Sequence, residues 1–152
     1  MNLSFIKTSE KRRIINQLNE QFGITELPYL LIESGKEKIR GFTGHLSKDE
    51  IIWLGKIANI EGIGLYLIKK EDDLFRLSLD ATHLLGSQIT KNIIDITGEQ
   101  LEQWIRGRDL GIKAQKGLFV VRYAGDFLGS GKSTSEKILN HIPKERRIKK
   151  PL

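Results

Sequence analysis

Apolar side chains recur at helical spacing near the amino terminus. Within residues 10–22 they stand three and four positions apart, from Ile14 to Phe22. This period places them on one face of a helix. Gly23 follows and is a residue type that commonly ends a helix. The pattern therefore predicts an amphipathic helix that packs against a core.

Strands and a second helix are predicted before residue 90. Short apolar or alternating runs between turn residues are typical of strands, and they occur at 29–33, 38–43, 63–69 and 74–79. Residues 81–85 predict one short helical turn. Ser47 and Glu50 have the spacing of a capping box, which opens a helix by satisfying its free backbone N–H groups. The core-facing positions of that helix are predicted to be Ile51, Leu54 and either Ile57 or Ala58.

The carboxyl-terminal part combines short strands, one helix and many glycines. Strands are predicted at 93–96, 118–123, 127–134 and 138–142. Thr97 or Gly98 would open a helix that buries Trp104 and ends at Gly107. Such a mixture is typical of a small, partly closed barrel. We therefore predict an α+β protein in which a small α/β domain precedes a mixed β-barrel.

Charge separates the same two parts. Residues 1–90 carry 12 basic and 12 acidic side chains, whereas residues 91–152 carry 13 basic and 7 acidic ones. The second part therefore holds the whole net charge of +6. Residues 86–91 are small and polar, so we place the domain boundary there and divide the chain into 1–88 and 89–152. A neutral part joined to a basic part favours a polyanionic partner for the second.

Composition limits the cellular setting. The 152 residues include no cysteine, which excludes disulfides and thiolate zinc sites and fits a reducing cytosol. No stretch approaches the roughly 20 apolar residues of a membrane span. We therefore expect a soluble cytoplasmic protein that makes no membrane contact.

The GSGKST segment at 129–134 is similar to a phosphate-binding P-loop but fails the spacing. A P-loop has glycine five residues before its second glycine, and counting back from Gly131 gives Asp126. A carboxylate there would repel phosphate oxygens. Only 18 residues follow Thr134, too few for the helix and sheet that should come next. We predict a glycine-rich turn; nucleotide hydrolysis is the disfavoured alternative.

Other signals of catalysis are weak. The three histidines, His45, His83 and His141, are scattered, and we expect His83 to be a packed side chain. No group of His, Asp and Glu has metal-ligand spacing, and the G-x-S-x-G nucleophile motif is absent. The sequence therefore predicts a protein without metal, cofactor or enzymatic activity.

Two basic segments suit a polyanion, and each has a structural alternative. Residues 106–109 place two guanidinium groups beside a glycine, where they can bind phosphates or only complement a helix dipole. Residues 143–152 hold five basic side chains against one glutamate. This tail can neutralise several phosphates or form a solvated terminus.

Residues 98–112 and 117–132 resemble the PUA domain, an RNA-binding module. The family has a helix that ends in Arg-Gly, a loop with a later glycine, a hydrophobic strand and a G-x-x-L-G-x-G hairpin. The matching positions here are Arg106, Gly107, Gly111, Gly125, Leu128, Gly129 and Gly131. Residues 128–147, which include IPKERR, are most similar to the tails of Sun-family RNA cytosine methyltransferases. The first part carries no methyltransferase signature, and a catalytic cysteine is impossible in this chain.

The resemblance implies an RNA surface made by the helix end, its glycine loop and the facing strand. It implicates Arg106, Gly107, Arg108, Leu110, Gly111, Lys113, Lys116 and Lys132. Arg122 lies in the strand and could face either side. The charge of the tail adds Lys144, Arg146 and Arg147. Contacts to phosphates and 2′-hydroxyls are expected to dominate, as in the recognition of RNA helices.

Residues 75–85 are similar to the segment before the PUA domain in the Nip-seven family of ribosome biogenesis factors. That resemblance implies an accessory factor for tRNA or rRNA that acts in ribosome biogenesis or RNA modification. The alternative is a subunit that recruits an RNA-modifying enzyme through its amino-terminal domain. The Ile- and Lys-rich composition and the domain pairing suggest an archaeal source.

Overall fold

The computed structural model describes residues 4–57 and 63–150. Within these residues the chain forms two β-sheets and four α-helices. The strands are β1 Ser4–Phe5, β2 Leu30–Ser34, β3 Lys38–Phe42, β4 Leu65–Glu71, β5 Leu74–Leu77, β6 Ile93–Asp95, β7 Gly117–Tyr123, β8 Asp126–Ser133 and β9 Ile138–Asn140. The helices are α1 Thr8–Phe22, α2 Lys48–Ile57, α3 Leu79–Leu84 and α4 Gly98–Ile105. Short 3-10 turns span Gly86–Gln88 and Lys144–Arg146.

The first sheet is an antiparallel meander with strand order β1-β2-β3-β4-β5. Helix α1 packs against it with Ile14, Leu18 and Phe22 buried, as the helical spacing predicts. Gln21 links the helix to β5 by two hydrogen bonds. Its side chain donates to the Phe75 carbonyl at 3.1 Å and accepts from the Phe75 N–H at 2.9 Å. These bonds satisfy a polar side chain that is only 7% exposed.

The capping box that opens α2 is confirmed. The Ser47 N–H donates to Glu50 at 2.7 Å, and the Glu50 N–H donates to the Ser47 hydroxyl at 3.2 Å. Ile51 is fully buried. The prediction for Ile57 is wrong, because its side chain is 61% exposed. Its alternative, Ala58, lies outside the described residues.

The second sheet has strand order β6-β7-β8-β9, with β6 parallel to β7 and the other pairs antiparallel. Over the described ranges this sheet remains open, so the barrel that the sequence predicted is not closed. One further bridge, between Leu110 and Ile138, attaches the segment after α4 to β9. Residues 129–133 belong to β8, which pairs with β7 and leads through a turn into β9. A strand at this position agrees with the rejection of a P-loop, but the glycine-rich turn predicted for 129–134 is wrong.

Helix α4 is held firmly at both ends. Thr97 and Gln100 form a capping box at its start. Near its end Trp104 is completely buried and donates from Nε1 to the Leu128 carbonyl at 2.7 Å. The predicted helix is thus confirmed, and its last turn is fixed against the sheet.

The two sheets share an apolar core. Val120 and Phe127 of the second sheet pack in the cluster that contains α1 and the first sheet. The Ser130 hydroxyl donates to the Leu77 carbonyl at 2.7 Å, and the Gly129 N–H donates to the Thr82 hydroxyl at 3.1 Å. The proposed division into 1–88 and 89–152 stays a prediction. Among the described helices, none is long and apolar enough to cross a membrane.

Candidate nucleic-acid interface

The carboxyl-terminal tail folds back onto the end of α4. The Ile148 N–H donates to the Ile105 carbonyl at 2.9 Å, and Arg147 Nε donates to the Ile142 carbonyl at 3.0 Å. A 3-10 turn at Lys144–Arg146 redirects the chain between these two anchors. The tail is therefore structured up to Ile148 and not frayed, although the side chains of Lys144, Glu145 and Arg146 stay exposed to solvent.

The fold-back creates a concave basic surface, which we call the helix-end surface. It encloses a cavity of about 440 Å³. Its lining residues are Arg106, Arg108, Lys144, Arg147, Ile148 and Lys149. Five of these six side chains are cationic and none is acidic. Two segments about 40 positions apart in the chain thus contribute positive charge to one site.

The charges of the helix-end surface are only partly balanced. Arg106 forms an ion pair with Glu102 one turn earlier at 3.1 Å, and its side chain is 20% exposed. Arg108 is exposed, and no carboxylate lies within ion-pair distance of it among the described residues. Lys144 and Lys149 are exposed as well. An anionic ligand would therefore meet cations that are accessible and partly preorganised.

Gly107 allows the close approach of helix and tail. Its φ of 89° lies in the left-handed region, which glycine adopts without steric cost. A Cβ at this position would overlap the Arg147 side chain. Glycine therefore lets the chain turn after α4 and also leaves room for the Arg147 guanidinium.

Asn140 holds the end of α4 and the segment that follows it. This residue was not predicted as part of the site. Its Nδ2 donates to the Trp104 carbonyl at 2.8 Å and to the Arg108 carbonyl at 3.0 Å. Its own N–H donates to Asp109 at 2.8 Å, and its Oδ1 accepts from the Ile142 N–H at 2.8 Å. One side chain thus satisfies free carbonyls at the helix end and links them to the tail.

Leu110 and its neighbours in the glycine loop lie away from the helix-end surface. Leu110 is only 1% exposed and packs in the second core cluster, so its side chain supports the loop, and its place in the RNA surface stays a prediction. Gly111, Lys113 and Lys116 are exposed. Lys113 lies 4.0 Å from Glu136 in the turn between β8 and β9. None of these residues lines the cavity.

Arg122 is engaged on another part of the second sheet. It binds Asp95 on the neighbouring strand through two hydrogen bonds of 2.6 and 2.9 Å, and its guanidinium lies over the Phe127 ring. The hydrogen bond from Arg122 lowers the pKa of Asp95. The structure therefore does not bring Arg122 to the helix-end surface.

Lys132 and Arg146 pair with carboxylates of the amino-terminal part. Lys132 Nζ lies 3.0 Å from Glu71 in β4, and Arg146 lies 3.2 Å from Asp80 in α3. Burial tends to raise the pKa of Glu71, but the hydrogen bond from Lys132 and the nearby cationic charges outweigh it and lower that pKa. Lys132 thus links the two sheets, whereas Arg146 links the tail to α3. Of the twelve predicted residues, the structure unites Arg106, Gly107, Arg108, Lys144 and Arg147.

Two other residues differ from what the sequence predicts. Lys149 was predicted only as part of the basic tail, although it lines the cavity. His83, expected to be packed, is exposed at the end of α3. Within residues 4–57 and 63–150, no group of three or more His, Asp and Glu could hold a metal ion.

Similarity to known proteins coincides with this site. A family model described as the methyltransferase RsmF PUA domain matches residues 91–148. Ribosomal RNA small subunit methyltransferase F of Vibrio vulnificus (strain YJ016) is 33% identical over 84 residues, which cover 55% of this chain and 18% of that protein. Its namesake in Vibrio cholerae serotype O1 (strain M66-2) is 25% identical over 145 residues, which cover 93% of this chain and 30% of that protein. The chain thus spans less than a third of these curated relatives.

A solved structure shares the fold over nearly the whole chain. A conserved PUA domain protein from Thermoplasma acidophilum superposes with a TM-score of 0.60 and 15% identity, covering 91% of this chain and 93% of that one. Together with the matches to methyltransferase F, this similarity confirms the expected resemblance to the PUA domain of Sun-family methyltransferases.

Proposed function

We propose that this chain, in which residues 91–148 form a PUA domain resembling that of Sun-family RNA methyltransferases, binds structured tRNA or rRNA through the helix-end surface. The observation that carries the proposal is the convergence of five cationic side chains on one concave surface without a lining carboxylate. Neutralising several phosphates at once releases condensed counterions and gives strong, salt-dependent binding.

The geometry favours recognition of RNA shape over sequence. Arg106 and Arg108 present planar guanidinium groups that match phosphate geometry and stack on bases. Asn140 fixes the loop that carries them, so little conformational entropy is lost on binding. Side chains of this length reach backbone phosphates and 2′-hydroxyls across the wide minor groove of an RNA helix.

The proposed role is non-catalytic and lies in ribosome biogenesis or RNA modification. The curated relatives are methyltransferases, but the family match is confined to residues 91–148. An enzymatic alternative would use the glycine-rich segment to hydrolyse ATP. That alternative predicts that the full chain releases phosphate from ATP, whereas our proposal predicts no hydrolysis. The expected archaeal source, cytoplasmic location and Nip-seven architecture stay predictions.

Fluorescence anisotropy with labelled RNA tests the function. The full chain is titrated against bulk tRNA and an rRNA helix across a salt series, beside an Arg106→Ala/Arg108→Ala variant. We expect the variant to bind at least about tenfold more weakly and with a shallower salt dependence. A Lys113→Ala/Lys116→Ala variant removes the same charge away from the cavity and serves as the matched control. Failure of the wild type to bind either RNA at low salt would contradict the proposal.

A second candidate is a recruiting subunit that binds an RNA-modifying enzyme through its amino-terminal part. An exposed apolar face on α2 favours it. Ile52, Trp53 and Ile57 are 40%, 63% and 61% exposed, respectively. A cluster of large apolar side chains on a surface commonly marks a protein interface.

Two experiments separate the candidates. Co-sedimentation with pre-ribosomal particles supports an accessory factor in assembly. Recovery of one stable enzyme partner by affinity purification, lost in a Trp53→Ser variant, supports recruitment. Lys36→Ser changes an exposed residue in the β2–β3 turn and provides the control, because it leaves the apolar face intact.

A further inference from the structure

A second cavity lies between the first sheet and the segment that follows β9. It has a volume of about 430 Å³, and we call it the inter-sheet groove. Arg40, Tyr66 and Arg76 line it from the first sheet. The other titratable side chains that line it are Asp80, His141, Glu145 and Arg146. It shares no lining residue with the helix-end surface, since Lys144 and Arg147 belong to that surface whereas Arg146 belongs to the groove.

Two buried nitrogens in the groove lack hydrogen-bond partners. Across residues 4–57 and 63–150, the buried side-chain nitrogens and oxygens without a partner are Arg40 Nε and His141 Nδ1. A buried polar atom without a partner costs about 1–3 kcal/mol, so such atoms are rare in folded proteins. Both residues line one cavity although they come from different sheets. A polar ligand in the groove that reached either nitrogen would remove this cost.

Asp80 and Glu145 also line the groove, so the case for an anion rests on Arg40, the lining arginine without an acidic partner among the described residues. Arg76 is paired with Glu71 at 3.2 Å, and Arg146 is paired with Asp80 at the same distance. Arg40 donates from one terminal nitrogen to the Gly64 carbonyl at 3.1 Å, and no described carboxylate lies within ion-pair distance of it. A half-buried guanidinium whose charge is not balanced is a strong site for an oxyanion.

Two other lining side chains add donors without adding negative charge. Tyr66 is the cross-strand partner of Arg40, and burial raises the pKa of the phenol, so its hydroxyl stays protonated. Burial and then the charge of Arg76 lower the pKa of His141 to about 4, which keeps the imidazole neutral at physiological pH. A neutral imidazole can present one N–H to an anion.

We propose that the inter-sheet groove binds a phosphate group, held by the Arg40 guanidinium with hydrogen bonds from Tyr66 and His141. The phosphate can belong to the backbone of an RNA already bound at the helix-end surface or to a free nucleotide. The inference does not depend on RNA binding at that surface, because the two cavities use different residues.

The three histidines provide a direct readout. The full chain, labelled with ¹⁵N in its histidine side chains, is titrated by NMR with inorganic phosphate, uridine 5′-monophosphate and uridine at constant ionic strength. We expect the His141 imidazole signals to shift with the two phosphates and not with uridine, while the exposed His45 and His83 stay unchanged. Equal shifts of all three histidines, or no shift of His141, would overturn the proposal.

Variants at Arg40 test the assigned donor. Arg40→Gln removes the charge, and we expect phosphate binding to weaken at least about tenfold by calorimetry. Arg40→Lys keeps the charge but not Nε, and we expect intermediate binding. Lys36→Gln removes a cation from the adjacent turn and should bind like wild type. Unaltered binding by a folded Arg40→Gln protein would refute the assignment.

A further NMR titration, with an rRNA helix, distinguishes the two sources of phosphate. If an rRNA helix shifts His141 in the wild type but not in the Arg106→Ala/Arg108→Ala variant, the groove holds a backbone phosphate of the bound RNA. If RNA leaves His141 unchanged while uridine 5′-monophosphate shifts it, the ligand is a free nucleotide. In the second case phosphate binding should persist in the double variant, so loss of RNA binding would not remove the inference.

Discussion

The side chain of Arg147 lies over Gly107 at the end of α4, in the space that a Cβ would occupy. The two residues are brought together by the hydrogen bond from the Ile148 N–H to the Ile105 carbonyl. This contact joins a helix end with a tail about 40 positions later in the chain. It explains how two basic segments that look separate in sequence form one surface.

Substitution of Gly107 should harm both folding and RNA binding. Gly107→Ala places a side chain at a φ of 89° and displaces Arg147. We expect the free energy of unfolding to fall by about 1–2 kcal/mol and RNA affinity to drop severalfold, measured by urea denaturation and fluorescence anisotropy. Gly111→Ala is the matched control, because a Cβ there would meet no atom within 4 Å. An equal effect at Gly111 would count against this account.

Asn140 should act as a positioning residue. Asn140→Ala adds no charge, and it loses both the donor to the Trp104 and Arg108 carbonyls and the oxygen that accepts from the Ile142 N–H. We expect it to destabilise the fold by about 1–3 kcal/mol and to weaken RNA binding even where the protein remains folded. The salt slope of binding should change little, since no contacting cation is removed. A reduced slope would mean that Asn140 affects the charge itself.

His141 should make stability depend on acid pH. Its folded pKa of about 4 lies below the ordinary value of 6.5, so the unfolded chain binds the proton more readily. The stability that comes from the neutral imidazole is complete above pH 6.5 and is lost as the pH falls towards 4. We expect the free energy of unfolding to fall by about 1–2 kcal/mol. This is less than the difference in pKa alone implies, because the ring is partly exposed. Urea denaturation of wild type and His141→Gln at several pH values measures this pH dependence. The prediction is refuted if the free energy of unfolding depends on pH in the same way for both proteins.

Arg122 should contribute less to RNA binding than Arg108. Arg122 is held by two hydrogen bonds to Asp95 and lies outside the helix-end surface, whereas Arg108 lines that surface. We therefore expect Arg108→Ala to lower RNA affinity more than Arg122→Ala in the same anisotropy assay. A larger loss of affinity for Arg122→Ala would show that RNA binds the part of the second sheet that carries Arg122.

Local signals explain what the sequence could predict. Thr97 and Gln100 open α4 by their own side chains, and Gly107 ends it, so the helix and its terminal arginines follow from neighbouring residues. The capping box of α2 is local in the same sense. These elements were predicted because their determinants lie within a few positions of one another.

Long-range contacts explain what the sequence could not predict. Arg146 and Arg147 are adjacent in one run of charge, yet Arg146 pairs with Asp80 while Arg147 lines the basic cavity. Lys132 pairs with Glu71, which lies 61 positions earlier. The pattern of charges along the sequence does not predict which partner each of two adjacent side chains will have. That depends on the direction of each side chain, which is set by the packing of the folded chain.

Amide chemical-shift mapping tests the central claim most directly. The ¹⁵N-labelled full chain is titrated with an rRNA helix, and the change at each backbone amide is recorded. We predict that the largest changes fall at Arg106–Arg108 and at residues 144–149, which form the helix-end surface. Changes confined to the first sheet or to residues 111–116, with the helix end unaffected, would contradict it.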